Sequence, residues 1–386
     1  MTEVTLELMT DIDQILFIEK GIRGGISQIS NRYKKANNEY LNDYDPTKET
    51  SFLAYYYVNN LYGYSMSQQL PTGFFKFLEK EEIDTFEPEK IPEDGSKGYI
   101  PEVDLEYPKH LHDSHNDYPL APERKFTPNE KLSPYAQHVL KHLHNSEELP
   151  PRAKVEKLLT TLENKQNYVL HYRNLQLYLQ LGLKLKKIHK VLEFQQEAFM
   201  KPYVEFNTKM RQQAKTAFEK NFFKLMNNSV FGKTMENLRK HRSVELVHTE
   251  KRLQKVSSKP TYKMHRIFSE DLVGVELSRK KIKLNKPIFV GMSILDLSKY
   301  TMYDFYYNHL KNVYGSNVEL ELTDTDSFLV SCTTPDIFQD MLAYSHLFDT
   351  SDFPKDHFLY IYASRRSFQA RQLAIRQVEE AFRHVN

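Results

Sequence analysis

Hydrophobic and polar positions follow two periods along the chain, one typical of helices and one typical of strands. Residues 5–20 carry apolar side chains at helical spacing and predict an amphipathic helix, which a group of glycines ends. Residues 52–58 are aromatic and apolar and predict a strand. Residues 318–331 alternate between apolar and acidic positions, which predicts a β-hairpin with residues 323–326 at its turn.

The middle of the chain is less regular. Residues 81–135 are rich in proline and acidic residues and predict a loop-rich, irregular segment. Helical patterns cover 137–145, 168–200 and 203–241, and residues 287–312 predict a strand or turn followed by a helix.

Composition limits the class of protein. The chain has 386 residues, of which 40% are hydrophobic and 27% charged, so it can bury a sizeable core in two or three domains or one large one. Its single cysteine, Cys332, excludes an internal disulfide and a cysteine-based zinc site, and we expect this residue to be a small buried side chain. The sequence shows neither a signal peptide nor a run of about 18 apolar residues. We therefore expect an intracellular, non-secreted protein without a membrane partner, and the sequence assigns no compartment.

The net charge of +2 hides two segments of opposite sign. Residues 79–107 contain 11 acidic and 3 basic residues, which gives −8, whereas residues 209–286 contain 20 basic and 7 acidic residues, which gives +13. A basic stretch of this size suits binding to a phosphate backbone, because each neutralised phosphate releases counterions. A solvated basic surface is the alternative interpretation of the same charge pattern.

The hairpin turn carries the first candidate site. Asp324 and Asp326 lie two residues apart in the segment LTDTDS, and aspartate is common in turns but disfavoured inside strands. Two carboxylates on a tight turn can project toward one cation, and carboxylate oxygens are ligands that Mg²⁺ prefers. A hairpin turn capped by aspartates, without a metal, remains open as the alternative.

A helix face provides the second candidate site. On a helix, Lys220, Lys224, Asn228 and Phe231 share one face, because they lie at positions i, i+4, i+8 and i+11. Two cations, an amide and an aromatic ring could contact a triphosphate and a base. Lysines that cover an aromatic core residue are the alternative.

Two shorter motifs complete the set. Residues 59–63 (NNLYG) follow the predicted strand, and residues 22–25 (IRGG) form a turn whose backbone could approach a phosphate chain. In this order and spacing, the four motifs resemble those of the family B DNA polymerases of the protein-primed viral and organellar type. Phrases such as EKGIRGGISQ, HYRNLQLYL and FFKLMNNSVFGKTMENLR look closest to the members carried by Maverick/Polinton transposons.

The resemblance implies an α+β fold, with an antiparallel palm sheet, helical fingers and a loop-rich insertion. It divides the chain into palm with motif A (1–78), an acidic insertion like the region that contacts terminal protein and DNA (79–165), fingers with motif B (166–260), palm with motif C (261–360) and an unrelated tail (361–386), expected to be an amphipathic helix. The exonuclease and thumb domains of the family are expected to be lacking.

The resemblance also implies roles for individual residues. Asp324 and Asp326 would be the catalytic, metal-binding carboxylates, with two Mg²⁺ ions expected in the family. The nucleotide-binding residues would be Tyr62, Lys224, Asn228, Phe231 and Gly232, with Ser229 beside them, and the DNA-binding residues would be Arg23, Gly24, Gly25 and Lys233. The implied partners are primer–template DNA, a dNTP and a terminal protein that serves as primer.

One departure from the family pattern concerns the chemistry directly. Motif A of the family has an aspartate where this chain has Tyr57. Two-metal phosphoryl transfer needs carboxylates from both palm motifs, and a phenol, with an ordinary pKa near 10, replaces an ionised carboxylate poorly. We therefore expect impaired nucleotidyl transfer. A decayed or mis-joined gene of a mobile element would explain both this departure and the missing domains.

Two other functions are alternatives to a polymerase. The first is a non-catalytic DNA-binding remnant with the same palm and fingers. The second is an unrelated basic structural protein, which would show no salt-dependent binding to DNA. A histidine group, His110, His112 and His115, fits no common zinc spacing, and we expect a structural or surface role for it.

Overall fold

The computed structural model describes residues 4–152, 155–349 and 373–376, the last four as a strand. The helices are α1 (Ile12–Gly21), α2 (Leu61–Met66), α3 (Lys80–Asp84), α4 (His112–His115), α5 (Pro134–Leu143), α6 (Tyr172–Gln180), α7 (Lys201–Gln213), α8 (Ala217–Thr234), α9 (Glu250–Ser257), α10 (Ile288–Asp304), α11 (Lys311–Tyr314) and α12 (Ile337–Ala343). The strands are β1 (Ser27–Ile29), β2 (Ser51–Val58), β3 (Leu70–Phe77), β4 (Lys97–Glu106), β5 (Glu123–Lys125), β6 (Lys157–Leu159), β7 (Lys165–Val169), β8 (Lys184–Glu197), β9 (Ser243–Val247), β10 (Tyr262–Ser269), β11 (Leu272–Leu277), β12 (Val318–Asp324), β13 (Ser327–Thr333), β14 (Phe348–Asp349) and β15 (Leu373–Arg376).

A six-stranded sheet in the order β1-β12-β13-β2-β15-β14 holds both sequence segments that were predicted to be strands. The predicted hairpin is confirmed as β12–β13, and the predicted strand at 52–58 is confirmed as β2, which pairs antiparallel with β13. The alternation in β12 breaks at a bulge between Leu320 and Leu322. This bulge turns Glu321 inward, although its acidic side chain predicted a solvent-facing position.

The tail differs from its prediction where the structure describes it. Leu373–Arg376 form β15, which pairs antiparallel with β2 and parallel with β14. The prediction of an amphipathic helix is therefore wrong for these four residues, because pairing with the edge of β2 satisfies their backbone. The rest of the predicted tail helix lies outside the described residues.

A buried helix supports the sheet from one side. Almost every side chain of α10 is buried, and a π-helical turn, Phe305–Leu310, continues it into α11. The segment PIFVG, predicted as a strand or turn, is the beginning of this helix instead. Burial on all sides explains the error, because a helix that is apolar all round lacks the one-faced pattern that distinguishes helices from buried strands.

A second sheet, in the order β3-β8-β4-β7, corrects two predictions. The 168–200 segment is helical only in α6, and its second half is the long central strand β8. The acidic, proline-rich segment contains the ten-residue strand β4, so it is not irregular throughout. Cross-strand pairs explain both errors: Glu102 lies opposite Lys190, Asp104 opposite Lys187, and Glu106 opposite Lys184. The contacts that join the strands are those of Glu106 with Lys184 and Lys186 and of Asp104 with His189. They link segments that lie about 80 residues apart, which a local pattern does not show.

The predicted helix at 203–241 is two helices, α7 and α8. Ala214 ends the first with an extended backbone, and Thr216 begins the second with a capping box in which its side chain and that of Glu219 satisfy each other's backbone N–H. After α8, a three-stranded sheet in the order β10-β11-β9 packs against α9. Among the described residues, no helix is long and apolar enough to cross a membrane.

Candidate active site

The turn between β12 and β13 presents Asp324 and Asp326 at the edge of a cleft. The connection has two residues, Thr325 and Asp326, and Thr325 adopts a positive φ of 56°. Positive φ at the first turn residue alone suits the type II′ hairpin, in which glycine is the usual residue, so a β-branched threonine is strained there. Both aspartate side chains are exposed, and the Asp326 N–H donates to the Asp324 carbonyl over 2.6 Å.

The end of β2 lies directly beside this turn. Tyr57 is the cross-strand partner of Ser327, and the Val58 N–H donates to the Asp326 carbonyl oxygen over 2.8 Å. Position 57, where the sequence predicts that tyrosine replaces the motif A aspartate of the family, thus lies beside Asp326 in the sheet.

The NNLYG motif turns the chain from β2 into α2. Asn60 adopts the left-handed conformation, with φ 57° and ψ 53°, and its carbonyl accepts the first helical hydrogen bond from Tyr64. A Cβ at Gly63 would overlap the Asn60 side chain, so glycine is required there. This turn places Tyr62 on the side of the helix that faces α8.

The segments predicted as motifs A and B meet through two aromatic rings. Tyr62 of α2 stacks on Phe231 of α8, with ring centroids 4.5 Å apart and 19° between the planes. One and two turns earlier on α8, Asn228 and Lys224 are exposed, and the space beside Gly232 is open. The face that the sequence predicted therefore borders the cleft, with the stacked rings at its base.

Asp326 interacts electrostatically with residues from the three segments predicted as motifs. The pKa of Asp326 is raised, chiefly because the cleft partly removes its carboxylate from water, and further because Asp324 repels its negative charge. The cation of Lys224 acts in the opposite direction on the same carboxylate. The pKa of Tyr62 is also raised, by burial and by the charge of Asp326. Asp326 thus lies within electrostatic reach of residues from all three motifs.

The IRGG turn packs against the aspartate turn. Ser27 of β1 pairs with Asp324, and the Thr325 N–H donates to the Ile26 carbonyl over 2.7 Å. A Cβ at Gly25 would overlap the Thr325 side chain, so this close approach requires glycine. Gly24 is exposed and has open space beside it.

The side chain of Arg23 points away from the cleft. Its guanidinium is buried, donates to the Val169 carbonyl over 2.7 Å and lies 3.8 Å from the centre of the Tyr168 ring. These contacts occupy it in the interior, which argues against the direct DNA contact predicted from the sequence. Lys233, the other predicted basic contact, is exposed at the end of α8 and forms an ion pair with Glu236 over 2.8 Å.

Sequence reasoning missed a buried lysine beneath the turn. Lys299 of α10 donates to the Arg23 carbonyl over 2.7 Å and lies 3.6 Å from the Asp296 carboxylate. Burial lowers its pKa to about 8. No motif signalled this residue, since a single lysine in an apolar helix has no periodic pattern. Its contacts with Arg23 and Asp296 fix the base of the IRGG turn.

Two other residues singled out from the sequence, His115 and Cys332, pack in the core, whereas His110 is exposed. His115 is buried against Tyr307, and its Nδ1 lies 2.8 Å from the Tyr107 hydroxyl, while burial lowers its pKa to about 4. Cys332 is buried, as predicted, and burial raises the pKa of its thiol to about 12.

The acidic groups at the turn are the carboxylates of Asp324 and Asp326, which could hold a divalent cation. Asp324 and Asp326 supply two neighbouring carboxylates that repel each other, and a bound cation would reduce this repulsion. Within the described ranges, no group of three or more His, Cys, Asp or Glu side chains could hold a metal ion.

Comparisons with solved structures bear on the fold of the chain. The chain is similar to Phi29 DNA polymerase in an orthorhombic crystal form, with a TM-score of 0.51 and 16% identity over 90% of this chain and 47% of that one. It is also similar to the ternary complex of that polymerase with primer–template DNA and incoming nucleotides, with a TM-score of 0.47 and 15% identity over the same shares. The chain thus spans about half the length of these structures. A search of curated proteins gave no match.

A family model supplies the assignment. The model described as "DNA polymerase type B, organellar and viral" matches residues 15–312, which is more than half of the chain and includes the segments that the sequence predicts as motifs A and B. The α+β fold with antiparallel sheets is the one that these polymerase structures share. The chain belongs to the organellar and viral type B DNA polymerases.

Proposed function

We propose that this chain forms the palm and fingers of a DNA-directed DNA polymerase and binds primer–template DNA and a dNTP in the cleft between α8 and the β12–β13 turn. The observation that carries the proposal is the convergence on Asp326 of Tyr62 from motif A, Lys224 from motif B and Asp324 from motif C. The similarity of several motifs to Maverick/Polinton polymerases favours a mobile element as the source.

Each group has a role that follows from its position. The exposed Lys224 ammonium can neutralise a triphosphate, and Asn228 can donate and accept hydrogen bonds beside it. The stacked rings of Tyr62 and Phe231 form a flat, half-buried surface suited to a sugar and base. Gly232 leaves room for the nascent base pair, with Ser229 on the same exposed helix.

The template strand and the cation have separate positions. The exposed Gly24 and the close-packed Gly25 allow the backbone of the turn to approach a phosphate chain, with Lys233 as an additional cation, whereas Arg23 supports the turn from below. Asp324 and Asp326 would hold a divalent cation such as Mg²⁺. When bound, this cation would stabilise negative charge that develops on the reacting phosphate.

The reaction is nucleotidyl transfer. The primer 3′-oxygen forms a bond to the α-phosphorus of the dNTP, the bond to pyrophosphate breaks, and the hydroxyl proton passes to water or a nearby base. This chain's residues orient the dNTP through Lys224 and the Tyr62–Phe231 surface. Because Tyr57 replaces a carboxylate beside Asp326, we infer that turnover is orders of magnitude below that of a complete site.

The second candidate function is a DNA-binding remnant without useful turnover. Tyr57 is the observation that favours it, since a phenol beside Asp326 replaces an ionised carboxylate poorly. A terminal protein as primer would remain compatible with either function.

Nucleotide binding tests the proposal independently of turnover. A fluorescent dATP analogue in the presence of Mg²⁺ should bind the Lys224→Ala variant about 10-fold more weakly, because a charge-assisted contact with a phosphate is lost. The matched control is Lys209→Ala, which removes an exposed lysine on α7 and should leave binding unchanged. Equal affinities of the two variants would contradict the proposed nucleotide site.

A further inference from the structure

The helix α8, which carries most of the proposed nucleotide-binding residues, is attached to its neighbours through few buried side chains. Of its 18 residues, all of which the structure describes, only Asn227 and Thr234 are buried, and both are polar. Among the 13 described residues of the facing helix α7, only Val204 and Asn207 are buried. Two helices whose buried residues are mostly polar depend on directional contacts more than on hydrophobic packing.

Two hydrogen bonds from α7 reach the middle of α8. The Asn207 side-chain amide donates to the Asn227 Oδ1 over 3.0 Å, in a buried position. The Tyr203 hydroxyl donates to the Met226 carbonyl oxygen, also over 3.0 Å. Tyr203 and Asn207 lie four residues apart on a helix, so one face of α7 makes both contacts. The contacts end on consecutive residues of α8, directly before Asn228.

The two halves of α8 are supported differently. Its C-terminal end packs closely on α10, where a Cβ at Gly291 would overlap the Thr234 side chain. Residues 217–226, the first ten of the helix, include no buried residue. Lys224 belongs to this first part, so the direction of its ammonium group depends on the contacts that α7 makes with the middle of the helix.

A buried amide pair can fix the rotation of a helix about its axis. The hydrogen bond between Asn207 and Asn227 needs both amides at a set distance and angle, whereas apolar side chains can slide past one another. With side chains about 5–6 Å from the helix axis, a rotation of about 20° would move the Asn227 amide by about 2 Å and break this bond. The same rotation would move Lys224 and Asn228 by a similar distance relative to the cleft.

We propose that Asn207 and Asn227 are positioning residues for the nucleotide site. Their hydrogen bond sets the rotation of α8 and thereby keeps Lys224 and Asn228 directed at the cleft that binds the dNTP. Both asparagines are buried, whereas Lys224 and Asn228 are exposed, so the pair acts through its neighbours on the helix. The role in nucleotide binding rests on the proposed function, whereas the control of the rotation does not.

Replacing both amides by apolar side chains separates orientation from stability. The double variant Asn207→Leu/Asn227→Leu removes the hydrogen bond without leaving a buried amide unpaired, so its Tm should stay within about 2 °C of the unchanged chain or rise. Asn207→Leu alone leaves the Asn227 amide unpaired in the interior, and its Tm should fall by about 2–4 °C. With a purely structural role, the double variant would recover nucleotide binding together with its Tm.

The rotation of α8 can be measured without nucleotide. The single cysteine of the chain, Cys332, is buried, so nitroxide labels can be directed to Leu225→Cys on α8 and Asp113→Cys on α4, which are exposed positions. Pulsed electron paramagnetic resonance then gives the distribution of distances between the two labels. In the double leucine variant this distribution should broaden, or its mean should shift by about 2 Å.

The matched control for the distance measurement is Gln212→Leu, which removes an exposed amide from α7 and should leave the distribution unchanged. A distribution in the double leucine variant that is identical to that of the unchanged chain would overturn the proposal.

Binding of the fluorescent dATP analogue with Mg²⁺ is the second readout. The double leucine variant should bind about 3- to 10-fold more weakly, and no more weakly than Lys224→Ala, because the phosphate contact is loosened and not removed. Gln212→Leu should bind like the unchanged chain. Unchanged affinity of the double leucine variant would overturn the role in nucleotide binding. Failure of the unchanged chain to bind the analogue would contradict the proposed function instead, and the distance measurement would still decide whether the amide pair sets the rotation.

Discussion

Tyr57 of β2 lies directly opposite Ser327 of β13, one residue along the chain from Asp326. The Val58 N–H and the Asp326 carbonyl lock this register with a hydrogen bond of 2.8 Å. A side chain at position 57 is therefore adjacent to the carboxylates of the hairpin turn. Under the proposed function, a carboxylate at position 57 would complete the acidic site at this turn.

Removing the charge of Asp326 should stabilise the fold and abolish cation binding. The pKa of Asp326 is raised in the folded chain, so the folded chain binds a proton at this carboxylate more tightly than the unfolded chain does. The free energy of unfolding therefore falls as the pH rises from the ordinary aspartate pKa through the raised one. Asp326→Asn removes this cost, so the Tm at pH 7 should rise by about 1–3 °C. Binding of Mn²⁺, followed by electron paramagnetic resonance, should be lost.

Asp113→Asn is the control for this experiment, because Asp113 is exposed on α4 away from the turn. It should change neither the Tm nor Mn²⁺ binding. Binding of Mn²⁺ to Asp326→Asn with unchanged affinity would show that the cation site lies elsewhere.

Gly25 and Thr325 should be energetically coupled. A Cβ at Gly25 would overlap the Thr325 side chain, so Gly25→Ala should destabilise the chain by about 1–3 kcal/mol in urea unfolding. Thr325→Gly removes the overlapping atoms and suits the positive φ of the turn. The double variant should therefore recover much of the loss, with a coupling energy of about 1 kcal/mol or more. If the changes in the free energy of unfolding of the two single variants simply added up in the double variant, the two turns would not be in contact.

The stacked pair Tyr62–Phe231 should connect palm and fingers. Tyr62→Ala and Phe231→Ala should each destabilise the chain, and a double-mutant cycle should give a coupling of about 0.5–1.5 kcal/mol. Tyr62→Phe keeps the ring and serves as the control, with unfolding close to that of the unchanged chain. A coupling near zero would indicate that the two helices do not pack through these rings.

Lys299 should give stability a specific dependence on pH. Burial lowers its pKa to about 8 in the folded chain, so the unfolded chain, with an ordinary lysine pKa of about 10.4, binds more protons between these values. Its contribution to stability therefore rises with pH from about 8 to 10.4. Lys299→Met should show a smaller rise over this window in urea unfolding, and identical slopes would contradict the assignment.

Local patterns predicted the parts of the site whose structure is local. The hairpin, β2 and the face of α8 were predicted because short segments fix their own geometry. The strand β8 was missed because its pairing with the acidic β4 decides its structure. The inward direction of Arg23 was missed because it depends on the carbonyl of Val169, which is distant in sequence. The burial of Lys299 was missed because it depends in the same way on the carbonyl of Arg23.

The central claim is that Tyr57 limits nucleotidyl transfer in an otherwise assembled site. Its most direct test is single-turnover extension of a labelled primer–template with excess protein, dNTPs and Mg²⁺, comparing the unchanged chain with Tyr57→Asp and with Tyr57→Asp/Asp326→Asn. We predict that Tyr57→Asp extends the primer at least about 100-fold faster than the unchanged chain, and that the second substitution removes the gain. Equal rates for the unchanged chain and Tyr57→Asp, whether both fast or both at background, would contradict the claim.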